Sequence, residues 1–383
     1  MTHSLTANEN SRLLFWSHVR EFAVPTSMIE SATARRAIGD WAGACAAAHV
    51  DVDLNLRTVA RTHGRQLAAQ VRADLRQLVP DLLRWHFPRV APDGPLRPGL
   101  TVPLARYLPG PVHLVARTPP AWADAGQRIG LALWAPTVRP RPHPDRRFRL
   151  DLHRHLWDAR RTGELRQRAR PDWLAEAKLL RANGLVTVRL SARRWLVIDT
   201  ATSTITSAPA RNRDWPILPD AATWPLPDLE LLDAGLIEAE RLHPLVASAL
   251  APGGRPVARH RDSTTSSRLV ECRGARHRIG LVGGALVPLD HDADEIRREE
   301  LLMALGGNGL PCLRAIDEAH RHPECLVDVR ARLCHGDTAG ALATAESLLG
   351  PQVLHRSEAL RDEFEIAARR RIRHGLFRAG LTR

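Results

Sequence analysis

Two stretches of the chain, 99–134 and 186–206, each hold three short apolar runs separated by turn residues, while the flanking segments carry apolar residues at helical spacing. Consecutive strands joined by tight turns pair antiparallel, whereas a parallel sheet needs a long crossover after each strand. Nothing in the sequence repeats a βαβ unit. The pattern therefore predicts an α+β fold of small antiparallel meanders alternating with helical segments, with helical N- and C-terminal regions.

Residues 1–90 read as a helical region. Leu13, Leu14, Phe15, Val19 and Phe22 form a short apolar stripe that stops at Pro25. Ser27 with Glu30 three residues on has the form of a capping box. Leu54 to Leu78 keep helical spacing, and Pro80 and Pro88 punctuate the end. Residues 95–250 read as an α+β region. Its first meander runs Gly99–Tyr107, Val112–Ala116 and Ile129–Trp134, and a linker rich in Pro and Arg follows from Pro136 to Pro144. Helix is expected from about 150 to 182. A second meander covers Val186–Leu190, Trp195–Asp199 and Thr204–Thr206, a proline-rich loop covers 208–227, and two short helices occupy 228–250. Residues 252–267, rich in Gly, Ser and Thr, read as a linker. Residues 268–383 open with a hairpin around Gly283-Gly284, a dipeptide suited to a I′ or II′ turn, and continue as helix.

Composition narrows the class without naming an activity. Of 383 residues 44% are hydrophobic and 25% charged, values that exclude a wholly disordered or membrane-embedded chain. The net charge is +13, and Lys178 is the single lysine. So much arginine with almost no lysine indicates a GC-rich coding sequence, which weakens the usual inference from basic charge to nucleic acid. The five cysteines, at 45, 272, 312, 325 and 334, are odd in number and irregularly spaced, which is not a disulfide framework. The first thirty residues lack a basic and then apolar leader pattern, and no run of about 18 apolar residues occurs. The cytoplasm is the expected compartment, with no membrane partner.

Catalytic signatures are scarce. There is no P-loop, no G-x-S-x-G and no H-E-x-x-H. Asp317-Glu318-Ala319-His320 spells an acidic box, but without a P-loop it has no nucleotide-bound metal to hold, and the segment reads as a plain amphipathic helix. Asp51-Val52-Asp53 pairs two carboxylates, yet the alanines before it favour a helix, so a helix cap is the expected role. Gly306-Gly307-Asn308-Gly309 before Pro311 reads as a helix end and loop, and Asp290-His291-Asp292 with Asp294 and Glu295 as an acidic first helical turn. Cys312, His320, His322, Cys325, Cys334 and His335 crowd 24 residues. Their spacing matches no zinc pattern, and buried thiols with surface histidines account for them. No metal ligand and no cofactor is assigned from the sequence.

Two features point to binding. Residues 34–48 (ARRAIGDWAGACAAA) and 331–345 (ARLCHGDTAGALATA) share Ala-Arg, Gly-Asp and Ala-Gly-Ala in register. Each predicts a helix, a Gly-Asp turn and a second helix of small residues, which resembles the hairpin of tetratricopeptide-type repeats and could meet a protein partner. Between Arg139 and Arg170 lie eleven arginines. Arg146, Arg147 and Arg149 stand at a loop-to-helix junction, and Arg154, Arg160 and Arg161 are expected on the helix after it. Such a strip can neutralise phosphates, with Phe148 and Trp157 as stacking faces. The expected function is a non-enzymatic adaptor binding nucleic acid or an acidic protein surface through these six arginines. The alternatives are an enzyme with an unrecognised His/Asp/Cys site, zinc-dependent in one form, and a structural assembly subunit.

Overall fold

The computed structural model describes residues 11–136, 143–191, 193–210, 212, 214–250 and 268–381. It is α+β, with helices dominating and three small sheets. The chain divides into two compact units, 1–257 and 258–383. The 252–267 linker and residues 137–142 of the Pro/Arg linker, with Arg139 and Arg141, lie outside the described residues. Among the described residues no helix is long and apolar enough to cross a membrane.

In the first unit, residues 11–18 are helical and pass into a π-type turn, Val19–Ala23, ahead of Pro25. Then come α1 (Thr26–Ala37) and α2 (Trp41–Ala47). The Ser27 capping box does not form, because Pro25 is the N-cap and Ser27 already lies inside the first turn. The periodic stretch after Asn55 is two helices, α3 (Leu56–His63) and α4 (Arg65–Gln77), divided at Gly64, whose φ of 90° no helix interior accepts. Asn55, rather than Asp51 or Asp53, is the cap: its side chain accepts from the Arg57 and Thr58 N–H groups. Pro80 opens a helix, α5 (Pro80–His86), instead of ending one, since a proline at the first position loses no hydrogen bond.

The first sheet contains β1 (Val50–Val52), β2 (Thr101–Tyr107), β3 (Val112–Arg117) and β4 (Ile129–Trp134) in the order β1-β4-β3-β2. Its meander is the expected one. The short edge strand β1, parallel to β4, is not. His49, with φ of 56°, turns the chain out of the alanine-rich helix, and Arg128 grips Asp51 through two hydrogen bonds of 2.8 and 2.6 Å.

The expected helix over 150–182 is broken into 3₁₀ turns at Arg154–Leu156 and Thr162–Glu164, then α6 (Leu165–Arg168) and α7 (Trp173–Leu180). Pro171 bars continuation between the last two, and Asp172 caps α7 through the Ala175 N–H. The second meander forms as expected from β5 (Leu185–Arg189), β6 (Trp195–Asp199) and β7 (Thr204–Ala208). Two short helices close the unit, α8 (Pro227–Asp233) and α9 (Pro244–Leu250). One core, built around the fully buried Trp85, Trp157, Leu83, Leu104 and Leu131, draws on both the 1–90 and the 95–250 regions.

The second unit opens with β8 (Arg268–Cys272), β9 (Ala275–Val282) and β10 (Ala285–Pro288), an antiparallel sheet in the order β10-β9-β8. The Gly283-Gly284 turn has φ of 58° and 80°, the I′ pattern. Strand β8 was not anticipated, yet Arg273-Gly274 makes the same kind of turn with φ of 53° and 79°. Helices α10 (Ala293–Ala304), α11 (Pro311–Arg321), α12 (Leu326–Cys334), α13 (Thr338–Leu349), α14 (Val353–Arg356) and α15 (Glu358–Arg378) follow. Asp292 caps α10, and Gly306 with φ of 85° ends it. Two small cores result. One lies around Cys272, Ile279, Leu310, Cys312 and Leu313, the other around Val329, Ala341, Ala345, Leu349 and Leu360.

The two copies of the Ala-Arg…Gly-Asp…Ala-Gly-Ala pattern adopt one local structure. Gly39 and Gly336 end their helices with φ of 78° and 86°. Asp40 and Asp337 cap the next helix by accepting from Gly43 and Gly340, each at 2.8 Å. Arg35 and Arg332 reach forward to those same aspartates at 2.9 and 3.2 Å. The glycines at 43 and 340 are required because the capping carboxylate occupies the place of a Cβ, 2.0 Å away in both.

A close backbone contact in the second unit makes a measurable prediction. A Cβ on Gly350, whose φ is 94°, would lie 1.9 Å from the carbonyl oxygen of Gly284, whereas a Cβ on Gly283 meets nothing within 4 Å. Gly350→Ala should lower unfolding free energy by at least about 3 kcal/mol, because a clash adds to backbone strain of about 1–3 kcal/mol. Gly283→Ala should cost only about 1–2 kcal/mol. Urea denaturation of the two variants checks the order; equal losses contradict it.

Candidate functional site

The sequence-predicted arginines part company in the structure. Arg154 and Arg160 turn inward onto two carboxylates: Arg154 lies 2.5 Å from Asp74 and 2.7 Å from Asp158, and Arg160 lies 2.8 and 2.7 Å from the same pair. Asp158 is fully buried, so it needs those partners. Tyr107 donates its hydroxyl to Asp74 at 3.0 Å. Arg161 pairs with Glu164, not with Asp158. Trp157 is fully buried and donates to the Leu150 carbonyl, so it offers no stacking face. Arg146 is exposed and makes no ion pair among the described residues. Arg147 and Arg149 instead line a cleft of about 920 Å³ in the first unit.

That cleft is assembled from distant segments. The helical residues 11–18 supply Arg12, Phe15 and Trp16; the end of α5 and the residues just after it supply His86, Phe87 and Arg89; α6 supplies Arg168; Arg97, Phe148, His155 and Trp224 come from loops and short turns. Pro88 stops α5 and Pro225 and Pro227 set the Trp224 loop, which is why irregular backbone carries so many of these side chains. The same unit also holds a buried polar set. Trp85 donates to Asp228 at 2.7 Å, and His243 lies 3.1 Å from Asp81, with both of the latter side chains 1% exposed.

The walls pair guanidinium groups with rings. Arg12 sits 4.6 Å from the Trp224 ring centroid, and Arg147 and Arg97 sit 4.9 and 5.8 Å from that of Phe148. Four of the arginines have carboxylate partners: Arg12 with Glu230 at 3.0 Å, Arg147 with Asp220 at 2.6 Å, Arg149 with Asp151 at 2.5 Å and Arg168 with Glu176 at 2.7 Å. Arg89 and Arg97 have none among the described residues. Arg89 donates only to the carbonyls of Gly94 and Arg84, and its buried Nε has no acceptor. Burial, reinforced by the charge of Arg84, pulls the Arg89 guanidinium well below its ordinary value. A half-buried cation with no counter-ion and a buried Nε is the arrangement that a bound anion relieves.

Two histidines of the cleft, His86 and His155, are held neutral. Burial first, then the adjacent Arg89, lowers His86 to about 3. Burial and Arg168 lower His155 to about 2, consistent with Arg168 lying 3.0 Å from its Nδ1. Burial would raise Glu176, but hydrogen bonds from His153 and Arg168 outweigh it and hold the carboxyl at about 2.

The sequence-local cluster of cysteines and histidines in the second unit does not converge. Cys325 belongs to the α12–α13 core and Cys312 to the hairpin core, His322 is exposed, and His320 bonds the Ile316 carbonyl at 2.8 Å. A different set does converge. Cys272, His277, His291 and Cys312 place one ligand atom each within 4.8 Å of one another, the one such group among the described residues. Of the Asp290-His291-Asp292 run only His291 enters it; Asp290 pairs with Arg278 at 2.6 Å. Sequence reasoning passed over Cys272 and His277, which Val270↔His277 and Cys272↔Ala275 pairing puts on one face of the β8–β9 ribbon. A scan against protein-family models, a search of the curated proteins and a search of the solved structures all find no match for the chain.

The neutral state of His155 sets a pH dependence. Its side chain is 3% exposed and its folded value lies below the ordinary 6.5, so the unfolded chain takes up a proton that the folded chain refuses. The contribution is fully present above pH 6.5 and is lost as pH falls below it, at on the order of 1 kcal/mol per pH unit. His155→Asn should therefore flatten the fall in urea midpoint between pH 6.5 and 4.5; an unchanged slope contradicts the assignment.

Proposed function

We propose that the protein is a non-catalytic binding module whose first unit takes up an anionic ligand bearing an aromatic ring, of the nucleotide class. The carrying observation is the pair Arg89 and Arg97, without carboxylate partners, in a cleft walled by Phe15, Phe148 and Trp224. The volume suits a small ligand or the end of a strand, since such sites span about 300–1,000 Å³. Trp224 is 53% exposed and so offers a free face for stacking. The four paired arginines keep further N–H groups for phosphate oxygens. The exposed Arg146, next to Arg147 at the cleft, gives a longer single strand a contact beyond it.

Fluorescence anisotropy with a labelled mononucleotide and a labelled single-stranded oligonucleotide, at about 50 and 200 mM salt, tests this. Arg97→Ala and Trp224→Ala should each weaken both probes at least about fivefold, in line with roughly 1–3 kcal/mol per stacked base. Arg146→Ala should weaken the oligonucleotide alone and reduce its salt slope by about 0.7. Arg161→Ala, whose partner is Glu164, should change neither. The proposal fails if neither probe binds at the lower salt, or if Arg97→Ala binds as the parent does.

A further inference from the structure

The second unit carries its own chemistry, independent of the cleft. We propose that Cys272, His277, His291 and Cys312 form a structural zinc site that pins the β8–β9 ribbon to the start of α11.

The four ligand atoms come from three places in the fold. Cys272 ends β8 and His277 lies on β9, on the same ribbon face; His291 follows β10; Cys312 is the second residue of α11, after Pro311. All four ligand atoms lie within 4.8 Å of one another. The edges of a zinc tetrahedron with bonds of about 2.0–2.3 Å are about 3.3–3.8 Å, so the widest pairs need to close by about 1 Å. The His277 Nδ1 and His291 Nε2 atoms are 2.6 Å apart, with ring centroids at 4.3 Å, and this pair opens by about 0.7 Å to reach such an edge. Two thiols and two imidazoles are a donor set for zinc rather than for calcium or magnesium, which take oxygen.

Outer contacts orient the set. His291 Nδ1 lies 3.2 Å from the Glu295 carboxylate, so its N–H donates there and Nε2 is left as a bare lone pair facing the cluster. Arg273, in the tight turn between Cys272 and Ala275, holds Glu295 in turn. The thiols of Cys272 and Cys312 are fully buried and the His291 side chain is 3% exposed. Four protein ligands, of which His277 is half-buried, fill a zinc tetrahedron and define a structural rather than a catalytic centre. The charges balance: each thiol gives up its proton to solvent, and two thiolates with two neutral imidazoles cancel the charge of Zn²⁺. The surrounding core of Cys272, Ile279, Leu310, Cys312 and Leu313 is small, the circumstance in which a metal supplies stability that packing does not.

The test uses the full chain, purified without chelator. Elemental analysis should find about one zinc per chain, and the cobalt-substituted protein should show the visible absorption of tetrahedral Co²⁺ bound by thiolates. Cys312→Ser and His291→Ala should lose the metal. Cys325→Ser, in the other core, should keep it. Because ligand variants can unfold, Glu295→Gln provides a milder arm: it should retain the fold and bind Zn²⁺ about 10–100-fold more weakly in a competition titration. Metal-free protein whose thermal midpoint is unmoved by added Zn²⁺ overturns the proposal, as does loss of the metal in Cys325→Ser, or unchanged zinc affinity in Glu295→Gln.

Discussion

The buried carboxylates of Asp74 and Asp158 organise the first unit. A carboxylate removed from water is costly unless charge and hydrogen bonds answer it. Asp158 is fully buried and Asp74 nearly so, and Arg154, Arg160 and Tyr107 converge on them. That demand pulls the chain after residue 150 off a helical path into 3₁₀ turns. It ties those turns to α4 and places Trp157 in the core, with a backbone bond from Val79 N–H to its carbonyl at 2.7 Å. It also decides which arginines are left without a carboxylate partner. Arg154 and Arg160 pair with those carboxylates and Arg161 with Glu164, while Arg89 and Arg97, from a part of the chain with no conspicuous basic run, line the cleft without a carboxylate partner among the described residues.

The second unit solves a different problem. Its helices and ribbon are short, and they bury two small clusters rather than one broad core. Local devices compensate. Positive-φ turns fix both ribbon ends, and the Gly350–Gly284 contact locks the hairpin tip against the end of α13. The Gly-Asp hairpin at 331–345 is stabilised by a cap, an arginine reaching the cap and a glycine that leaves room for it. The same three devices at 34–48 show that the recurring letters encode one local geometry. On the proposal advanced above, the four Cys and His ligands would add a fixed point in the smaller core.

Elements whose causes are local were legible in the sequence. The six expected meander strands and the Gly283-Gly284 turn form where turn chemistry placed them. The misses share a cause. Strand β1 exists because β4 is there to pair with it; Pro80 begins a helix because α5 has a core to enter; the 150–182 helix breaks because Asp158 has Asp74's arginine partners to share. The candidate site was legible only in part: Arg147 and Arg149 stood out and Arg168 lay in the same basic stretch, but Arg12, Arg89, Arg97 and Trp224 are scattered from position 12 to 224 with no local signal.

The sequence alone determined the fold class, the two Gly-Asp hairpins and the excess of positive charge, because periodicity, turn residues and composition act within a few residues of chain. Tertiary structure alone decided which arginines pair with buried carboxylates and which line the cleft. It also decided that Cys272 and His277, rather than the cysteines and histidines crowded after Cys312, meet His291. Those outcomes depend on which distant segments share a core, and separation along the chain carries no information about that.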